Sequence, residues 1–352
     1  MPKPITVLVV DDSALIREMV GSMVASAPDM ELVGTASDPY EAREKIKQVN
    51  PDVLTLDIEM PKMDGITFLE KIMTLRPMPV IMFSSLTQKG AEATIRALEL
   101  GAVDYVSKPI LSQTPETIGV LTEEILSKIR TAASANLGFY RADPGRQTII
   151  PFNPPAGGTD KIIAIGSSTG GVEALREICI RLPANSPPIV ITQHMPEGFT
   201  RSLAERLDGL SQICVSEAEN HMRLRTGNAY IAPGGKHLKV VKVGSEFVCR
   251  IEDSSPVSGH KPSVDVLFTS LAESAGARAV GVILTGMGND GAAGMKVMRE
   301  CGAWNIGQNR ASCVVYGMPM RAAQLGAVHL ELPLASIPAA FLKFCEGKGD
   351  AA

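Results

Sequence analysis

Three hydrophobic runs, far apart in the chain, each end on a side chain suited to nucleophilic catalysis. Lys161–Gly166 runs into Ser167-Ser168-Thr169-Gly170-Gly171, Ile189–Gln193 into His194, and Ala279–Leu284 into Thr285-Gly-Met-Gly-Asn-Asp290-Gly291. A serine, a histidine and an aspartate are the nucleophile, base and orienting acid of a serine hydrolase. A second group is acidic. Asp11 and Asp12 follow one run, Asp57 closes another, and Lys108-Pro109 follows a later one. Three carboxylates attract Mg²⁺, which prefers oxygen ligands. Asp57 can accept a phosphoryl group, and Lys108 can pair with one of its oxygens. Ser84, one strand over, has a hydroxyl able to donate to the same group.

Both groups need an element that delivers them to one edge. In a parallel α/β sheet, ligands sit outside the carboxyl ends of the strands. Residues 5–122 read as such a sheet, with strands at Ile5–Val10, Glu31–Thr35, Val53–Leu56, Val80–Ser84 and Val103–Val106. Leu15, Ile16, Met19, Val20, Met23 and Val24 form one helical stripe between the first two. Residues 128–160 change character: an Ala-rich stretch gives way to Pro144, Pro151, Pro154 and Pro155, then Ala156-Gly-Gly. Such punctuation marks a linker, whose helical start extends the last helix before it. From Lys161 the alternation resumes, with strands at 161–166, 188–193, 229–232, 237–243, 246–252, 279–285, 304–308 and 327–331. The pair 237–243 and 246–252, joined through Gly244-Ser245, reads as a hairpin. The expected architecture is α/β with two doubly wound domains. The first is five-stranded and parallel, and the second is larger, Rossmann-like and mostly parallel with an antiparallel hairpin. The expected boundaries are 1–125, a linker at 126–158, and 159–348.

Composition narrows the class. At 352 residues, two domains are the prior expectation. A net charge of −4 lacks the basic face that nucleic acid requires, so no nucleic-acid partner is expected. No apolar run is long enough to span a bilayer. Met-Pro-Lys-Pro leads straight into ITVLVV without a signal-peptide pattern, which predicts a cytoplasmic protein. The 6 cysteines include no CxxC pair and read as free core thiols, not as disulfides or a zinc site.

Ser168 lies on a Gly-rich turn between a strand and a helix, where free backbone N–H groups and the helix dipole suit a developing oxyanion. A turn of this type also binds phosphates, so a nucleotide-binding module is the competing reading. His194 has four rivals: His221, His237, His260 and His329. His237 is the strongest of them, because it follows a Gly-Gly turn in Ala232-Pro-Gly-Gly-Lys-His. Asp290 also fits a turn beside Gly291. The coincidence at three strand ends favours catalysis.

Asp11-Asp12-Ser13, Asp57 with Met60-Pro61-Lys62-Met63-Asp64-Gly65, Ser84 and Lys108-Pro109 resemble the receiver domain of bacterial response regulators. The resemblance implies phosphorylation of Asp57 by a chemotaxis histidine kinase. It also implies Mg²⁺ held by Asp12, Asp57 and the Glu59 carbonyl, with Asp11 assisting. Ser84 and Tyr105 would be the switch pair beside Lys108, with Ser85 an alternative for the hydroxyl. The second half carries Ala164-Ile-Gly-Ser-Ser-Thr-Gly-Gly, Ile191-Thr-Gln-His-Met-Pro, Pro262-Ser-Val-Asp-Val-Leu-Phe and Leu284-Thr-Gly-Met-Gly-Asn-Asp-Gly. These resemble the chemotaxis protein-glutamate methylesterases. That resemblance implies Ser168, not Ser167, as nucleophile, with His194 as base and Asp290 as its partner. Backbone amides near Thr169 and Met287 would form the oxyanion hole, and no esterase cofactor would be needed. It further implies action on methyl-accepting chemotaxis receptors and deamidation of selected receptor glutamines; a monomer is expected. Such a protein would meet membranes only through those receptors, and phosphorylation would activate it.

Overall fold

The computed structural model describes residues 3–85, 87–108, 115–138, 148–156 and 158–347, without the side chains of 115–117. Met1-Pro2, Pro109, the linker residues 139–147 with Pro144, Gly157 and Lys348 lie outside the described residues. The chain divides into two compact units, Met1–Arg141 and Ala142–Ala352.

The first unit alternates strands and helices. In order they are β1 (Ile5–Val10), α1 (Ala14–Ser26), β2 (Met30–Ala36), α2 (Pro39–Val49), β3 (Val53–Asp57), α3 (Gly65–Leu75), β4 (Val80–Ser84), α4 (Gln88–Glu99), β5 (Asp104–Ser107) and α5 (Pro115–Ala133). The strands pair in parallel in the order β2-β1-β3-β4-β5. Central strands are buried on both faces, which is why they read as unbroken apolar runs: Val7, Leu8, Val53, Leu54 and Val80 are all inaccessible. Helix starts are set by side-chain caps, with Ser13, Asp38, Asp64 and Thr87 each accepting a bond from a first-turn N–H. Strand order reverses between β1 and β3, so the residues after those strands share a crevice. Gly65 is required there: a Cβ would lie 1.9 Å from the Asp57 carbonyl oxygen. α5 continues to Ala133, with Ile129 and Ala132 buried. The Ala-rich start of the expected linker is therefore part of this helix.

The second unit contains β6 (Ile162–Ser167), α6 (Gly171–Cys179), β7 (Ile189–Gln193), α7 (Phe199–Asp208), β8 (Cys214–Glu217), β9 (Asn228–Ile231), β10 (His237–Val243), β11 (Glu246–Glu252), α8 (Val264–Ala275), β12 (Ala279–Ile283), α9 (Ala292–Glu300), β13 (Trp304–Gln308), α10 (Met318–Gln324), β14 (Leu330–Leu332) and α11 (Ile337–Cys345). Seven strands pair in parallel in the order β14-β13-β12-β6-β7-β9-β8. The hairpin expected from Gly244-Ser245 is present, as a separate antiparallel sheet of β10 and β11. α8 joins the two layers. Val264, Leu267, Phe268, Leu271, Ala272 and Ala275 make a helical stripe that packs in one core with Leu238, Val240 and Cys249 of the hairpin. The strand β8 is an addition to the sequence reading, and the strand expected at 327–331 is the shorter, shifted Leu330–Leu332. The end of the expected linker belongs to this unit: Phe152 is buried, and Ile150 N–H donates to the Arg181 carbonyl at 2.9 Å.

Four of the six cysteines are buried as expected, but Cys214 and Cys301 are exposed. Among the described residues, no helix is long and apolar enough to cross a membrane.

Candidate active site and acidic pocket

Strand order places the three candidate catalytic residues. β12, β6 and β7 are consecutive in the sheet, and Asp290, Ser168 and His194 lie in the segments that leave their carboxyl ends. The backbone ties these segments together. Ser168 N–H donates to the Thr285 carbonyl at 3.0 Å, and His194 N–H to the Ser167 carbonyl at 3.2 Å. Gln193 braces the pair from below, its Nε2 donating to the carbonyls of Ser168 (3.0 Å) and His194 (3.3 Å). Gly286 lets the β12 segment approach the serine, since a Cβ there would lie 2.8 Å from Ser168 Cβ.

The two serines have different surroundings. Ser167 is fully buried, and its hydroxyl donates to Gln193 Oε1 at 2.6 Å. Ser168 is partly exposed, one residue past the end of β6 and just before the N-terminus of α6. The spare hydroxyl beside it is thus committed to the scaffold.

His194 Nε2 lies 2.8 Å from Asp290 Oδ2. The other ring nitrogen, Nδ1, is buried and has no hydrogen-bond partner among the described residues. Asp290 is fully buried and receives three further bonds, from Ser263 Oγ (2.7 Å), Val264 N (2.7 Å) and Asp265 N (3.0 Å). These donors are the start of α8, whose own N-cap residue, Ser263, makes no side-chain cap. Asp290 supplies that cap from another loop, and the helix N-terminus supplies positive potential in return. Burial works to raise the Asp290 carboxyl. The His194 contact and the α8 donors outweigh it and hold the group below the usual carboxylate range.

His237, the strongest rival on sequence, is not positioned as a base. It is inaccessible, Ser263 N–H donates to its Nδ1 at 3.2 Å, and its Nε2 meets the Ser255 carbonyl at 3.1 Å. Both nitrogens are occupied in holding the segment that grips Asp290. His221 sits exposed on a left-handed turn, and Asn305 N–H donates to His329 Nδ1 at 3.1 Å. His260 instead stacks on His194, a contact that sequence reasoning did not single out. Thr169 is buried, with its carbonyl bonded to Thr285 Oγ1 at 3.0 Å, while Met287 is 41% exposed at the rim.

The acidic group also converges. Asp11 and Asp57 are buried, Asp12 is exposed, and oxygens of all three lie within 4.8 Å of one another. Lys108 Nζ is 2.7 Å from Asp57 Oδ2 and 3.2 Å from Asp11 Oδ2. Burial raises the Asp57 carboxyl to about 6, Asp11 adds to that, and Lys108 opposes it. Two buried acids face one ammonium, so the charge is unbalanced and the donors are all oxygen: the cluster fits a hard dication. Glu59 has an exposed side chain, and its N–H donates to Asp57 Oδ1 at 3.2 Å. Ser84 Oγ lies 2.7 Å from Thr94 Oγ1 and 3.1 Å from the Gly90 carbonyl, on α4. The alternative hydroxyl, Ser85, meets Thr87 Oγ1 at 3.2 Å. Tyr105 is buried under Lys128, whose Nζ sits 5.0 Å from the ring centroid.

A doubly wound unit with this pocket, followed by an α/β unit with a His–Asp pair at a serine-bearing rim, defines a response regulator with an enzymatic output domain. Comparison with known proteins agrees. Residues 7–117 match the response regulator receiver domain, and residues 163–341 match the CheB methylesterase family. A protein-glutamate methylesterase/protein-glutamine glutaminase of Chromohalobacter salexigens is 53% identical over 347 residues, 99% of this chain and 98% of that protein. One of the same name from Salmonella typhimurium is 54% identical over 333 residues, 95% of each. The crystal structure of the Thermotoga maritima CheB methylesterase catalytic domain superposes with a TM-score of 0.51 at 39% identity, covering 52% of this chain and 98% of that one. The chain belongs to the protein-glutamate methylesterase/protein-glutamine glutaminase family.

Proposed function

We propose that the chain is a phosphorylation-activated serine hydrolase of bacterial chemotaxis. It cleaves γ-glutamyl methyl esters on methyl-accepting receptors and deamidates selected receptor glutamines. The observation that carries this reading is the His194–Asp290 pair, clamped by the N-terminus of α8 on the strand next to Ser168.

In the resting site His194 Nε2–H donates to Asp290, so Nδ1 holds the lone pair. Ser168 gives its proton to Nδ1 as Oγ attacks the ester carbonyl. The imidazolium that forms is stabilised by Asp290, which α8 keeps ionised. The tetrahedral oxyanion collects at the N-terminus of α6, with the amides of Thr169 and Met287 as donors. Collapse breaks the C–OCH₃ bond, and the leaving oxygen takes the proton from Nδ1 and departs as methanol. Water then attacks the acyl-enzyme by the same relay and releases glutamate and free Ser168. With a glutamine substrate the leaving group is ammonia. The ester reaction uses no cofactor.

The receiver half, residues 1–125 in this reading, takes its phosphoryl group on an Asp57 oxygen from a histidine kinase. Asp11, Asp12, Asp57 and the Glu59 carbonyl would hold Mg²⁺, which when bound neutralises charge on the transferring phosphoryl group. Lys108 then pairs with a phosphoryl oxygen, and Ser84 and Tyr105 respond to it. The protein works in the cytoplasm as a monomer, meets the membrane only through receptors, and has no nucleic-acid partner.

Methanol release from methylated receptor membranes, with and without acetyl phosphate, tests the reading. Ser168→Ala is expected to abolish release, and Ser167→Ala to keep kcat within a few-fold because that hydroxyl serves Gln193. Full activity in Ser168→Ala ends the assignment.

A further inference from the structure

The His194 imidazole has a neighbour that acyl transfer by Ser168, His194 and Asp290 does not employ. The His260 ring lies face to face on it, with centroids 3.7 Å apart and planes 11° from parallel. The chain builds this contact deliberately. Val257 and His260 exchange two backbone hydrogen bonds, of 3.1 and 2.9 Å, around Ser258 and Gly259, both in the left-handed region with φ of 53° and 79°. Residues 255–259 are exposed, whereas His260 is half-buried. Ser258 Oγ donates to Asp265 Oδ2 at 3.0 Å, which anchors the turn on the first turn of α8. Asp265 N–H is itself one of the donors on Asp290. One segment, 258–265, therefore grips the carboxylate and also covers the ring that the carboxylate orients.

A single hydrogen bond from Nε2 to Asp290 fixes one point of the His194 ring and leaves its plane to be set by something else. Among the described residues, the ring stacked on it is His260. We propose that His260 is a positioning residue for the esterase reaction, holding the His194 imidazole in the plane that joins Asp290 to Ser168. The proposal rests on the hydrolase reading above and adds a residue to it.

Electrostatics are compatible with that role. Two stacked imidazoles cannot both carry a proton cheaply. Burial, and then the proximity of His194, hold His260 down to about 4, with Asp290 pulling the other way. On its own segment, Lys261 is paired with Asp253 at 2.5 Å, and Asp265 is engaged by Ser258 and by Gly294 N–H at 2.7 Å. His260 thus stays neutral while His194 takes the serine proton, and serves as a flat surface without competing as a base.

The test is methanol release by the full-length protein carrying His260→Ala or His260→Phe, with Ser168→Ala run alongside. Misplacing a catalytic group by about 1 Å costs on the order of 10²-fold in rate. His260→Ala is therefore expected to lower kcat by roughly 10- to 100-fold, with KM within about threefold. His260→Phe, which stacks but does not titrate, is expected to recover kcat to within a few-fold of the parent. A merely structural residue would not give this split and rescue. His260→Ala turning over at the parental rate overturns the proposal, and so does His260→Phe no faster than His260→Ala. If His260→Ala fails to fold, His260→Phe alone decides: a loss of tenfold or more with an unchanged melting temperature overturns it, and near-parental kcat upholds it. If Ser168→Ala stays active, the hydrolase reading itself has failed, which is a separate result.

Discussion

Asp290 caps a helix that it does not belong to. Its carboxylate sits 2.7 Å from Val264 N and 3.0 Å from Asp265 N, while its Oδ2 also faces His194 Nε2 at 2.8 Å. The same group closes the start of α8 and holds the His194 ring. In the proposed mechanism, fold stability and catalysis are therefore coupled through one buried charge.

Asp290→Asn separates the two roles unequally. The amide can still accept through its oxygen, but its NH₂ meets an α8 N–H in either orientation, and at the Oδ2 position it faces His194 as well. If it faces His194, the ring turns to the wrong tautomer and Nε2 becomes the acceptor. The expected result is a fall in kcat of about 10³- to 10⁴-fold, the scale known for this substitution in serine proteases. Stability should fall by roughly 1–3 kcal/mol, because a buried donor set loses a charged acceptor. Methanol release and thermal melts measure both. A variant with kcat within tenfold of the parent would show that the pair does not orient the base.

The most legible parts of the sequence were the strands buried on both faces. Val53–Asp57, Val80–Ser84 and Ile189–Gln193 are mostly apolar runs, broken only by Thr55 and Thr192, with a polar residue at the end, so strand and candidate site could be read together. β8 was not legible. Cys214–Glu217 is a short edge strand with alternating exposure, and nothing in its composition separates it from a loop. The hairpin was legible, but its separation from the large sheet was not, since that depends on α8 lying against it. His237 looked like a base because a Gly-Gly turn precedes it. Only the fold reveals that Ser263 N–H already occupies its Nδ1. The contacts of Ser263 and His260 were not legible for the same reason: their partners, Asp290 and His194, are remote in sequence.

Asp57 predicts a pH dependence of stability in the metal-free protein. Its carboxyl is raised in the folded state, to about 6 from an ordinary value of 3.8. Between those values the folded state binds the extra proton, so stability falls as pH rises through the window from about 4 to about 6. Above it the ionised group destabilises the fold in full, by about 2 kcal/mol after allowance for solvent screening. Asp57→Asn in the presence of a chelator should then match the parent near pH 4 and exceed it near pH 7.5. Urea melts at the two pH values measure the difference. A variant no more stable than the parent at pH 7.5 would contradict the charge imbalance in the pocket.

Thr94 predicts how readily the receiver half switches. Its hydroxyl lies 2.7 Å from Ser84 Oγ, at the end of β4, and 2.7 Å from the Gly90 carbonyl, on α4 like Thr94, and all three groups are buried. In the proposed switch, Ser84 leaves this arrangement before its hydroxyl reaches a phosphoryl group on Asp57. Thr94→Val keeps the side-chain shape and removes one partner. Losing a hydrogen bond worth about 1 kcal/mol shifts a two-state equilibrium by roughly fivefold. The acetyl phosphate concentration for half-maximal methanol release should drop by about that factor, with maximal kcat unchanged. In a Ser84→Ala background the same substitution should do nothing, because the hydroxyl it restrains is gone. An equal shift in both backgrounds would mean that Thr94 acts on α4 generally, and no shift in either would mean that the Ser84 contact does not hold the switch.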